Sequence, residues 1–248
     1  MADVRPGPAR RWLVPDIWGI LFISFLGLPL LAVWLVKAGE TLGFFSLSGD
    51  APALLIALYF QEAGLLALTL ASVALGYRRS WDQIGLRAEG WGTEVLVGLA
   101  AVGPLYLLQE GGGAASVWAF RLFVPAQKVA ALLAEENAAV TSLFASSRLA
   151  AAALSVLLVS MAPLAEEVFF RGFVQEVFRE RYGIWPTVLL ASGLFAVIHR
   201  YQVQLLPVFL VGLALALLYE WRRSLTAGIT AHALLNLLAL LKLLKDLP

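Results

Sequence analysis

Apolar positions in this chain do not alternate with polar ones. They form long blocks separated by short charged stretches. A helix needs about 20 residues to cross a hydrocarbon core of about 30 Å. Blocks of roughly that length run from Ile17 to Val36, Ala53 to Tyr77, Trp91 to Leu108, Leu149 to Phe173, Trp185 to His199, Val203 to Tyr219 and Thr226 to Leu244. The pattern predicts an all-α polytopic membrane protein with about seven transmembrane helices, within bounds of six to eight, the fifth being short. Pro29, Pro104, Pro163 and Pro207 fall inside blocks. They read as kinks, because neighbouring helices can satisfy the backbone groups that proline frees.

The longest stretch outside the blocks runs from Glu110 to Arg148. Gly111 to Gly113 reads as a hinge. Further on, Val129, Leu132, Leu133 and Val140 fall near one helical face, with Lys128, Glu135 and Glu136 elsewhere. That segment is expected to be an interfacial helix, either a plain connector or a lid, with an eighth, re-entrant span as the alternative. No internal repeat and no linker rich in Pro or Ser divides the chain, so residues 1–248 read as one integral membrane domain.

Composition agrees with this: 60% of residues are hydrophobic, 14% are charged and the mean hydropathy is +0.83. Counting spans from the inside puts four basic clusters on the cytoplasmic side: Arg5, Arg10 and Arg11; Arg78, Arg79 and Arg87; Arg171, Arg179 and Arg181; Arg222 and Arg223. The positive-inside rule therefore predicts a cytoplasmic amino terminus and an external carboxyl terminus. The first block is long for a signal peptide and no small-x-small cleavage site follows it, so it is expected to be a retained anchor. Trp12, Trp18, Trp34, Trp91, Trp118, Trp185 and Trp221 read as an interfacial belt, and Arg179, Glu180 and Arg181 as a solvated helix end. The chain has no cysteine, which excludes disulfides, thiolate ligands and a Cys nucleophile. A net charge of +1, with no basic run interleaved with aromatics, gives no sign of a nucleic-acid partner. The bilayer is the large partner implied, and an Ala-, Leu- and Arg-rich chain points to a bacterial inner membrane. The sequence carries no signal of oligomeric state.

Ionisable groups at membrane depth are costly and usually functional. The first three blocks carry few polar groups, so any chemistry is expected in the carboxyl-terminal four. Both histidines lie there, His199 and His232, as do the adjacent Glu166 and Glu167. Residues four apart share a helix face, which pairs Glu167 with Arg171, Phe195 with His199 and His232 with Asn236. Neighbours on a helix are turned by about 100°, so Glu166 and Glu167 are expected to have different tasks. An ion pair with Arg171 occupies Glu167 and leaves Glu166 to act as a general base on water. His199 can hold that water, and His232 with Asn236 can stabilise the oxygen of a tetrahedral intermediate. At about 1.5 Å per residue, Glu166 lies about 20 Å before Arg179, His199 about 21 Å after Trp185 and His232 about 9 Å after Thr226. Straight helices of the expected length do not bring the three level. Tilt, a longer fourth helix or an earlier start of the last would.

EEVFFR, FAVIH and HALLN fit the patterns Glu-Glu-x-x-x-Arg, Phe-x-x-x-His and His-x-x-x-Asn. In this order and separation they resemble the CAAX protease and bacteriocin-processing family, intramembrane glutamate proteases of which the Ras-converting enzyme is the best-known type. The resemblance covers Pro163 to Asn236, with softer support from WDQIGLR at Trp81 to Arg87, and sets a family-like core at 149–244. It implies Glu166 and His199 as the water-activating pair and His232 and Asn236 as the oxyanion pair. Glu167 and Arg171 become the supporting ion pair and Phe195 a pocket wall. The implied reaction is metal-independent hydrolysis of a membrane-associated or lipidated peptide, with no cofactor. Zinc held by two His and a Glu is the chemical rival, although no HExxH occurs. A proton-coupled transporter and a non-catalytic scaffold or immunity protein are the rivals from other classes.

Overall fold

The computed structural model describes residues 11–47, 49–87 and 89–246. Eight helices account for most of them: α1 (Val14–Thr41), α2 (Ala51–Gly76), α3 (Trp91–Arg121), α4 (Ala126–Ser146), α5 (Arg148–Tyr182), α6 (Ile184–Ile198), α7 (Leu205–Arg222) and α8 (Leu225–Asp246). No strand occurs among the described residues. All except α4 and α6 are long and apolar enough to cross a membrane, so the chain is an integral membrane protein. Each of the seven apolar blocks lies on a helix, with the short fifth block on α6. Arg5 and Arg10 of the first basic cluster lie outside the described residues.

Prolines shape the long helices. In α1 and α5 a wider, π-type turn (Ile23–Gly27 and Leu157–Met161) ends two residues before Pro29 and Pro163 respectively. Pro104 lies within α3, whereas Pro207 sits in the first turn of α7, where a missing N–H costs little. In α5 the Ala162 N–H reaches back five residues to the Leu157 carbonyl. Pro163 has no N–H to offer Leu158 in the same register, and the Leu158 carbonyl instead accepts from Asn236 Nδ2 of α8 at 2.9 Å. A backbone group freed by proline is thus met by a neighbouring helix.

The bundle packs α3 against α7 and α8, α6 against α7, α1 against α2, and α2 and α8 against α5. α5 lies at the centre and buries Phe169, Phe170 and Phe173 completely. The WDQIGLR segment forms a tight turn that drives Ile84 into this core, and its Gly85 carbonyl accepts from the Leu225 N–H at 2.9 Å. That bond fixes where α8 begins.

Several expectations need correction. Gly111 to Gly113 lie inside α3 and form no hinge, because α3 continues unbroken to Arg121. Arg171 does not join the basic end of its helix; it is buried at 2% exposure with its ion-pair partner Glu167. Trp12 is a core residue, with ring centroids 4.5 Å from Tyr77 and 5.3 Å from Phe173, while Trp18, Trp34, Trp91, Trp118, Trp185 and Trp221 are exposed. The end of α5 is a docked cluster: Arg179 pairs with Glu220, Glu180 with Arg79, and Arg181 donates to the Trp12 carbonyl. Tyr77 closes this corner by donating to Asp16, and burial followed by that bond pushes its phenol up to about 12. The first three spans carry few polar groups, yet one of them, Glu62 in the middle of α2, is buried at 5% exposure.

Candidate active site

The site is built on α5, α6 and α8. α5 extends nine residues beyond the sequence-based end at Phe173, to Tyr182, and α8 starts at Leu225, so the helices carrying Glu166 and His232 reach a common level. Glu167 is fully buried, and its Oε1 accepts both from Arg171 Nη1 at 2.9 Å and from His232 Nδ1 at 3.0 Å. A carboxylate buried this deeply needs such partners, because an unpaired charge in an apolar interior costs several kcal/mol. Arg171 also donates to the Gly212 carbonyl of α7 at 3.1 Å, and Gln175, one turn further along α5, donates to the Ala216 carbonyl at 3.1 Å. Equal four-residue steps on α5 and α7 keep these bonds in register.

Glu166 and Glu167 meet on one imidazole despite their different helix angles. His232 presents Nδ1 to Glu167 and Nε2 to Glu166 Oε2, the latter at 3.8 Å, beyond a direct hydrogen bond. Glu166 is the more accessible of the two, with 14% of its side chain exposed, and the Oε2 of each glutamate lacks a hydrogen bond.

His199 follows the last residue of α6, where helix carbonyls lose their usual donors. Its Nδ1 lies 2.7 Å from the Phe195 carbonyl oxygen, so Nδ1 carries the proton and Nε2 is left as an acceptor. Phe195 joins the parts: its ring is 4.7 Å from His199, 6.0 Å from His232 and 5.1 Å from Phe170, and the Arg171 guanidinium lies 4.8 Å from its centroid. Glu166, Glu167, Arg171, Phe195 and His232 are thus brought into one cluster, with His199 stacked at its edge. Asn236 lies one turn along α8 and spends one amide hydrogen on the Leu158 carbonyl.

Sequence reasoning missed three further groups. Tyr201 packs 5.8 Å from His199, and burial, then the charges of Glu166 and Glu136, hold its phenol above the ordinary tyrosine range. Glu136 of α4 accepts from three successive backbone N–H groups, those of Gln202, Val203 and Gln204, at 2.5 to 3.2 Å. It ties α4 to the loop after His199. Glu62 of α2 is near enough to Glu166 for their charges to interact. Only Glu136 carried a signal, being an acidic residue off the apolar face of a segment already marked as a connector or lid. Among the described residues no three His or acidic side chains converge with the geometry of a metal site.

Residues 148–238 match the family model described as type II CAAX prenyl endopeptidase Rce1-like. The chain is similar to an uncharacterized 24.3 kDa protein of Escherichia coli, 42% identical over 79 residues that make up 29% of this chain and 36% of that protein. The match therefore spans about a third of that curated relative's length. No solved structure matches the chain.

Proposed function

We propose, from the match of residues 148–238 to the Rce1-like family model, that this chain is an intramembrane endopeptidase whose Glu166 activates water against a peptide carbonyl. The observation that carries the reading is the convergence of Glu166, Glu167 and His232 in apolar surroundings, with Glu167 already engaged by Arg171. Each of the two glutamates leaves its Oε2 without a hydrogen bond, but Glu167 is held through Oε1 by Arg171 and His232, whereas Glu166 is the more exposed. In this role it takes a proton from water, the resulting hydroxide adds to the carbonyl carbon, and the proton returns to the leaving nitrogen as the carbon–nitrogen bond breaks. The His199 Nε2 lone pair accepts the second hydrogen of that water and orients it. Opposite them, the second amide hydrogen of Asn236 and the Nε2 side of the His232 ring face the developing oxyanion. Losing one such donor typically costs ~3 to 4 kcal/mol of transition-state stabilisation. The substrate class we assign is a peptide presented at the bilayer, lipidated or not, and the setting a bacterial inner membrane with the amino terminus cytoplasmic.

Cleavage of a membrane-peptide library by detergent-purified protein tests this. Activity that survives a chelator and disappears in both Glu166→Ala and His199→Ala is expected. Loss with the chelator and rescue by zinc would move the assignment to a metalloprotease, and absence of cleavage by folded wild type would move it to a carrier or a non-catalytic scaffold.

A further inference from the structure

Glu62 stands on α2, outside every motif that marks the site. Its Oε1 accepts from Gln61 Nε2 at 3.0 Å, while its Oε2 is buried with no partner in the protein. Among the described residues it makes no ion pair, and at 5% exposure water does not compensate. A lone buried carboxylate at membrane depth is expensive, and such groups persist where they face another ionisable group or a wet cavity. α2 packs on the stretch of α5 that carries Glu166, and the two carboxyls interact electrostatically across that contact. Glu166 Oε2 is likewise buried and unpartnered.

The other charged or titratable groups around the pair are committed elsewhere. On α5, Glu167 holds His232 and Arg171, and Arg171 divides its donors between Glu167 and the Gly212 carbonyl. On α8, His232 turns Nδ1 to Glu167 and leaves Nε2 3.8 Å from Glu166. After α6, the Tyr201 phenol is pushed above the ordinary tyrosine range by burial and by the charges of Glu166 and Glu136, and His199 Nδ1 is bound to a backbone carbonyl. Among the described residues no cation pairs with Glu62, and Arg171, whose charge reaches Glu166, is already spent on Glu167. Two carboxyls sharing a buried site without a cation of their own do not both ionise.

We propose that Glu62 and Glu166 share a single proton, so that Glu62 is a positioning residue that sets the protonation state from which Glu166 acts. The catalytic consequence rests on the endopeptidase reading. The pair starts with one proton and one negative charge. When the ionised oxygen takes a proton from water, a water O–H bond breaks and a carboxyl O–H bond forms, leaving the pair neutral and the hydroxide bonded to the substrate carbon. One of the two protons then moves to the leaving nitrogen, which restores the starting state. Sharing holds one oxygen of the pair ionised, and that is the form the first transfer needs.

The test is infrared spectroscopy of the full chain in lipid at neutral pH, comparing wild type, Glu62→Gln, Glu62→Asp and Glu166→Gln, each checked for helicity and size. Wild type should show a carbonyl stretch of a protonated carboxyl with a component that is lost in both Gln variants and retained at a shifted frequency in Glu62→Asp. Absence of that component in wild type, its survival in both Gln variants or its loss in only one overturns the shared proton. In cleavage, Glu62→Gln should lose about tenfold in kcat/KM, with Glu62→Asp recovering most of it; unchanged rates in Glu62→Gln overturn the catalytic consequence. The band needs no turnover. An inactive wild type that shows it defeats the endopeptidase reading alone, whereas an active wild type that lacks it defeats the shared proton alone.

Discussion

At Gly228 the missing side chain matters as much as the charged groups nearby. A Cβ there would stand 2.9 Å from Glu167 Oε2, and Glu167 cannot swing aside without giving up Arg171 and His232. Gly228→Ala should therefore lower cleavage by at least about tenfold while helicity and melting temperature change little; a fall in both together would make the position merely structural. Asn236→Ala separates two other contributions. Unpairing the Leu158 carbonyl should cost about 1 kcal/mol of stability, the usual size of an interhelical hydrogen bond in a membrane, and loss of an oxyanion donor should reduce kcat by about 10²- to 10³-fold. Thermal unfolding and kinetics read the two separately, and a variant that loses stability but keeps kcat assigns Asn236 to the backbone alone. The partnerships within one helix, Glu167 with Arg171 and His199 with the backbone of Phe195, were legible because a four-residue step dictates them. Glu167 with His232 was not, since nothing local marks partners 65 positions apart.

Among the elements, the apolar blocks fixed which segments become helices, and periodicity drew α4 out of a stretch that is not a span. Block edges were less legible. α5 runs on through Arg179 and Arg181 because Glu220 and the Trp12 backbone receive their charge, a condition set by distant segments. The placing of α4 was equally hidden, since it depends on Glu136 meeting three N–H groups about 66 residues away. Glu136→Ala removes all three acceptor contacts at once. Amide hydrogen exchange at Gln202 to Gln204 should then speed up by about tenfold, for a loss of roughly 1.4 kcal/mol, while exchange in α7 beyond its first turn stays slow. Unchanged exchange at those amides would mean that α4 does not hold the loop.

For the molecule as a whole, hydropathy made the membrane legible and motif order made the family resemblance legible, but neither revealed that a buried carboxylate of α2 lies beside the candidate site. α2 and α4 each send a carboxylate toward a site whose motifs all lie after residue 160. The 15 residues of α6 give a rod of about 22 Å, against a hydrocarbon thickness of about 30 Å. His199 stands at the end of that rod, so the bilayer must thin there or headgroups and water must dip to meet it. Hydrophobic mismatch thus becomes a control on hydration. Reconstituted in vesicles of increasing acyl length, the protein should hydrolyse peptide more slowly in thick membranes than in thin ones while its secondary structure stays constant, and a rate indifferent to thickness would show that water reaches His199 by a path the lipid does not govern.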